Sequence, residues 1–399
     1  MSILSDRINK VSESETLAMS RKSRELRALG HQVINLSIGE PDFFTPDNIK
    51  HAAKEAVDQN NSFYTPVNGT LELREAICAK LKRDNHLEYT PEQVVVSTGA
   101  KQSIANAVLC LVNPGDEVIV PTPFWVSYRE IIRMAEGKEV YVKSHIENQF
   151  KITPAELEKS ITSKSKLFIF SSPCNPSGSV YSYDELKGLA AVFARHPHVY
   201  ILSDEIYEHI NFSGKHESIA QFEAVRDRVI LVNGVSKGFA MTGWRIGYMA
   251  AQAEIAQACT KLQGQITSGT SAISQKAAVE AMNTDPSETK EMLRTFRERR
   301  DLVISLVNEI PGIETYVPMG AFYLFPNVKH YFGTSNGETV INNSNDLCMY
   351  LLNQAYVAMV PGEAFGDPDC VRISYAASSD LLIEAVKRVK EALATLKKA

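Results

Sequence analysis

The middle of this chain alternates short apolar runs with helix-patterned stretches, and that alternation leaves few folds open. The runs are Gln93-Val-Val-Val-Ser97, Glu117-Val-Ile-Val-Pro121, Glu139-Val-Tyr-Val-Lys143, Lys166-Leu-Phe-Ile-Phe-Ser-Ser172, Val199-Tyr-Ile-Leu-Ser-Asp204 and Arg228-Val-Ile-Leu-Val-Asn233. Several are apolar almost throughout, as in strands covered on both faces of a mostly parallel sheet. Between them, 99–112, 125–136, 154–161 and 183–195 carry helical spacing, so an α/β layered unit is expected. The flanks read differently. Ser12-Glu-Ser-Glu15 fits a capping box before a helix to about Leu29, stopped by Gly30, and a long charged helix is expected at 287–309. Short strands near 313–317, 322–327, 357–361 and 371–375, with helices near 345–356 and 378–396, form a second β/α cluster. The expected division is a large domain at 48–290 and a small one built from 12–47 and 291–399.

Composition narrows the function classes more than the chemistry. With 399 residues the chain can bury two cores. Its 42 Lys plus Arg against 47 Asp plus Glu give a net charge of −5 without a basic patch, which argues against a nucleic-acid partner. No apolar run reaches the roughly 18 residues of a membrane helix. The segment MSILSDRINK lacks the apolar core of a secretory leader. Six cysteines without a C-x-x-C pair read as reduced thiols. A cytoplasmic protein with no membrane or nucleic-acid partner is expected.

The common nucleotide and metal signatures are missing. Nothing matches G-x-G-x-x-G or H-E-x-x-H, and neither Gly137-Lys138 nor Gly214-Lys215 is followed by Ser or Thr. His196 and His198 have no third ligand nearby, so no metal site is expected. One pattern does match: Gly234-Val-Ser-Lys-Gly238 fits G-x-S-x-G after a strand, which would make Ser236 an acyl-transfer nucleophile. Such a serine hydrolase needs a later histidine, and only His330 follows.

Polar residues collect where the apolar runs end. Lys166–Ser172 leads into Pro173-Cys-Asn-Pro-Ser-Gly178, and Val199–Ser203 ends in Asp204 with Tyr207 behind it. The last run leads into Ser236-Lys237, followed by Trp244-Arg245. Parallel α/β sheets bind ligands outside the carboxyl ends of their strands, so these residues read as one site. Together with Gly39-Glu-Pro-Asp-Phe43, Tyr64-Thr-Pro-Val-Asn-Gly69, Thr98-Gly-Ala-Lys-Gln102, Pro123-Phe-Trp125 and Val371-Arg-Ile-Ser374 they stand in one order along the chain. In that order the chain resembles the class I, fold-type-I aminotransferases that depend on pyridoxal 5'-phosphate. It is most similar to the bacterial aspartate aminotransferases of subgroup Ib.

The resemblance implies a large domain with a mostly parallel central sheet plus a smaller α/β domain. It also implies amino transfer between L-aspartate and 2-oxoglutarate by a ping-pong exchange of the cofactor between its aldehyde and amine forms. Lys237 would hold the cofactor as a Schiff base and carry the proton from the substrate Cα. Asp204 would contact the pyridine nitrogen, while Tyr207 and Asn175 would bond the phenolic oxygen. Trp125 would stack on the ring. Gly99 and Ala100, at a helix N-terminus, would take the phosphate with Arg245. Tyr64 would reach the phosphate of a neighbouring subunit, making the active unit a homodimer. Arg372 and Gly39 would grip the substrate α-carboxylate, and Lys101 the distal one. In one respect the chain departs from the family: the phosphate-binding hydroxyl usual three residues before the lysine is replaced by Gly234, so Ser236 is the remaining candidate. Prephenate, aromatic or alanine specificity stays open alongside aspartate.

Overall fold

The computed structural model describes residues 3–13, 15–285 and 289–398. Its centre is a seven-stranded sheet. In chain order the strands are β1 (Val94–Ser97), β2 (Glu117–Thr122), β3 (Lys138–Lys143), β4 (Ser165–Ser171), β5 (Tyr200–Asp204), β6 (Val229–Gly234) and β7 (Gly247–Ala250). Their spatial order is β1-β7-β6-β5-β4-β2-β3, and every pairing is parallel except those of β7 with its two neighbours. All six apolar runs became strands within a residue of their expected limits. The seventh, β7, was not anticipated. It has four residues and opens on a glycine, too short for a period to be read.

Helices cover both faces of the sheet, which is why β1, β2, β5 and β6 carry few polar side chains. One face packs into a core of Ile49, Leu73, Ile77, Phe168, Phe193 and their neighbours. The other packs on Ile104, Val108, Tyr128, Ile132 and Cys259. Burying a single such aliphatic side chain contributes about 1.5–3 kcal/mol, and both faces are filled with them.

A separate core gathers the two ends of the chain. It unites Met19, Leu36, Phe296, Val303, Leu347, Leu351, Ile373 and Leu382, with Ile206, Tyr207 and Ile210 reaching in from behind β5. Its helices include α1 (Glu15–Ala28), α4 (Lys290–Val307), α5 (Ser344–Gln354) and α6 (Ser379–Ala394); α2 (Ala100–Leu111) and α3 (Ser127–Met134) belong to the main sheet. Three short antiparallel strands complete it: β8 (Tyr323–Leu324), β9 (Val360–Pro361) and β10 (Val371–Ser374), with β10 in the middle. No strand forms at 313–317, where one isolated bridge joins Glu314 to Asn327. Residues 287 and 288 of the expected long helix lie outside the described residues.

Candidate active site

The carboxyl ends of β4, β5 and β6, the first turn of α2 and the middle strand β10 open into one cavity of about 280 Å3. Gly39, Ala100, Lys101, Trp125, Asn175, Asp204, Tyr207, Ser236, Lys237, Arg245 and Arg372 all line it. Sequence separations of up to 333 residues therefore close into a single space. Gly99 stands just behind the wall as the residue before α2, with φ +84° and the Arg245 guanidinium packed where a side chain would go. Tyr64 lies elsewhere. It is fully exposed on a surface hollow shared with Phe63 and residues 269–273.

Lys237 follows β6, and its Nζ donates to the Gly39 carbonyl oxygen at 2.6 Å. Burial, reinforced by the nearby Arg372 and Arg245, pulls this amine down to about 8, although the Glu40 carboxylate opposes the shift. Asp204 ends β5 and is almost fully buried. Desolvation raises its carboxyl to about 6 against the hydrogen bonds that favour its charge. Those bonds come from the Tyr128 hydroxyl at 2.7 Å and the Ile206 amide at 3.3 Å. The Tyr207 hydroxyl pairs with that of Tyr323 at 2.7 Å.

Arg372 is the most deeply buried cation at the site, 2 % exposed. Its guanidinium donates to Asn175 Oδ1 at 2.9 Å and to the Ser37 carbonyl at 2.6 Å, and packs 4.6 Å from the Tyr323 ring centre. Among the described residues its Nε has no partner. A buried cationic donor left unpaired costs free energy unless an acceptor arrives, and a carboxylate suits the fork. Lys101 sits with its Nζ 4.9 Å from the Trp125 ring centre, and burial together with Arg245 lowers its pKa.

Known proteins resemble this chain along nearly its whole length. The family model for aminotransferase class I and II matches residues 31–389. A bifunctional aspartate aminotransferase and glutamate/aspartate-prephenate aminotransferase of Petunia hybrida is 48 % identical over 99 % of this chain and 83 % of its own. A probable aspartate/prephenate aminotransferase of Rhizobium leguminosarum is 46 % identical over 98 % of both chains. The chain belongs to the class I and II aminotransferases. Solved structures place this aminotransferase in the same fold. The aspartate aminotransferase of Rhizobium meliloti matches with a TM-score of 0.96 at 41 % identity over the whole of both chains. That of Thermus thermophilus, solved with maleate, gives 0.91 at 36 % identity over 98 % of this chain and all of its own.

Aminotransferases of this family use pyridoxal 5'-phosphate, and the residues present fit it. The site offers a lysine of lowered pKa, a buried carboxylate, and a helix N-terminus beside an arginine in one cavity. A side-chain carbon on Gly234 would stand 2.8 Å from the Gly247 Cα and the Ile246 carbonyl oxygen, so the family's hydroxyl has no room there. Ser236, one residue before the lysine, lines the cavity instead. No histidine lines it among the described residues, and His330 packs against Gly312. The hydrolase reading of Ser236 therefore lacks the histidine it requires.

Three contributors escaped the sequence reading. Tyr128 stands three residues after Trp125, a spacing that could have signalled a shared helix face. Tyr323 and the Ser37 carbonyl carry no local signal, since each acquires its partner only through the fold.

Proposed function

We propose that this aminotransferase moves the amino group between L-aspartate and 2-oxoglutarate, giving oxaloacetate and L-glutamate. One observation carries the reading: a lysine amine brought down to about 8, a buried carboxylate and a buried guanidinium converge on a single cavity. When bound, pyridoxal 5'-phosphate supplies the electron sink that makes the substrate Cα–H acidic.

The chain's own residues divide the rest of the work. Lys237 would hold the cofactor through Nζ and then, as a free amine, carry the proton away from the substrate Cα to the cofactor. Asp204 balances a positive pyridine nitrogen, while Asn175 and Tyr207 serve the phenolic oxygen and Trp125 covers the ring. Gly99, Ala100, Ser236 and Arg245 receive the phosphate. Arg372, which lines the cavity, takes the α-carboxylate with the Gly39 amide. Lys101 takes the distal carboxylate. The names of the Petunia and Rhizobium relatives, and the maleate of the Thermus structure, support a dicarboxylic substrate. Prephenate as a second acceptor is supported by the same two names. We further infer a large domain at 48–290 and a small one at 12–47 with 291–399, supported by the separate cores. A homodimer in which Tyr64 serves the neighbouring site is supported by the exposure of Tyr64 and Phe63. No helix among the described residues is long and apolar enough to cross a membrane, which is compatible with the cytoplasmic location we infer.

A panel of amino donors with coupled oxaloacetate detection tests the assignment. Lys237→Ala should abolish turnover, and full activity in that variant overturns the reading. Lys101→Ala should lose dicarboxylic donors selectively, by roughly tenfold or more for one charge-assisted contact. An equal loss for alanine and aspartate would remove Lys101 from the specificity argument.

A further inference from the structure

Tyr128 opens α3 and is 1 % exposed, yet it touches two of the groups assigned to the cofactor. Its hydroxyl donates to Asp204 Oδ2 at 2.7 Å, across 76 residues of chain. Its ring meets Trp125 edge-on, 5.5 Å between centres and 85° between planes. Among the described residues the other Asp204 oxygen accepts only the Ile206 amide, at 3.3 Å. One side chain therefore sets both the aim of the carboxylate and the seat of the indole.

We propose that Tyr128 is a positioning residue of the amino-transfer reaction, holding the Asp204 carboxylate and the Trp125 ring in one register. The inference rests on the roles proposed above for Asp204 and Trp125. The charged and titratable groups that face Asp204 are Tyr128, Glu205, Lys237, Tyr207 and the Cys174 thiol. Of these only Tyr128 gives it a side-chain hydrogen bond. Glu205 works against its charge and Lys237 in favour of it. Desolvation and the adjacent carboxylate hold the Tyr128 phenol well above its ordinary pKa, so it remains a donor throughout the working range. Without that donor, Oδ2 is a buried acceptor with nothing to accept, and the carboxyl takes up a proton more readily. A neutral carboxyl no longer balances a positive ring nitrogen.

The test uses Tyr128→Phe, which keeps the buried ring and removes one oxygen. In the apoprotein, infrared difference titration follows the Asp204 carboxyl, identified by its loss in Asp204→Asn. Tyr128→Phe should raise its midpoint by about one pH unit, the size expected for one hydrogen bond to a charged group. The acid limb of the kcat profile should move up with it. At neutral pH kcat should fall by about twofold, and by close to tenfold about one pH unit below the wild-type midpoint, with KM for the amino donor changed by less than about twofold. Site-specific 3-fluorotyrosine at position 128 keeps the shape and strengthens donation, so it should move the midpoint the other way. A midpoint and acid limb unmoved in either variant would overturn the proposal, whatever happens to thermal stability. The donor panel judges the aspartate reading separately, because the acid-limb shift is read with whichever donor the wild-type enzyme prefers.

Discussion

Lys237 shows how much a residue's chemistry depends on its seat. An exposed lysine is almost wholly protonated at neutral pH, whereas burial beside two arginines brings this amine to about 8. Competitive labelling with an amine-directed reagent across pH, read by peptide mapping, should give a midpoint near 8 for Lys237 in the apoprotein. A midpoint near the ordinary 10.5 would show that the cavity does not tune it. The identity of such residues was legible in the sequence because polar side chains are costly at the end of a buried strand and stand out against it. Asp204, Asn175 and Lys237 were visible in that way. Tyr128 and Tyr323 were not, since an aromatic in an apolar stretch reads as core until the fold supplies its hydroxyl with a partner. Gly39 was legible as a participant; that its carbonyl holds Lys237 was not.

Among elements, the junction of α2 with β7 decides how the proposed phosphate end of the site is built. A side-chain carbon on Gly247 would stand 2.1 Å from the Ala100 amide nitrogen and 2.5 Å from the Gly99 carbonyl carbon. Strand and helix meet there backbone to backbone, which seats the first turn of α2 at the cavity wall. Gly247→Ala should push the two apart. A loss of about 1–3 kcal/mol in thermal or denaturant unfolding is expected from overpacking. Affinity for pyridoxal 5'-phosphate should fall further than stability alone explains, as measured by equilibrium binding to the apoprotein. Unchanged binding would mean the contact matters only for packing. Long elements with a clear period were readable: the parallel strands and the helices at Tyr183–Arg195 and Ser379–Ala394 appear close to where the pattern put them. Strand β7 and the irregular 313–317 segment were not, because a short extended stretch takes its pairing from distant neighbours.

For the whole molecule, the proposed sharing of each site between two subunits makes a quantitative demand. Lys237→Ala supplies an intact Tyr64 but no amine; a Tyr64→Ala subunit supplies the amine but no tyrosine. Each parent should be inactive or strongly impaired. Dissociated and reassociated in equal amounts, half the dimers are hybrids, and each hybrid regains one intact site. About a quarter of wild-type activity should return. No recovery, with hybrids verified by native mass spectrometry, would mean that the sites are complete within one chain. The cross-strand rung that pairs Gly234 with Gly247 has a consequence for variation as well. Position 234 cannot gain a side chain without striking 247, and 247 is already pressed against Ala100. Single-site libraries aimed at returning the family hydroxyl to 234 should yield misassembled protein. Any lineage or design that acquires it has to change the strand and helix seats together, so the three positions behave as one heritable unit.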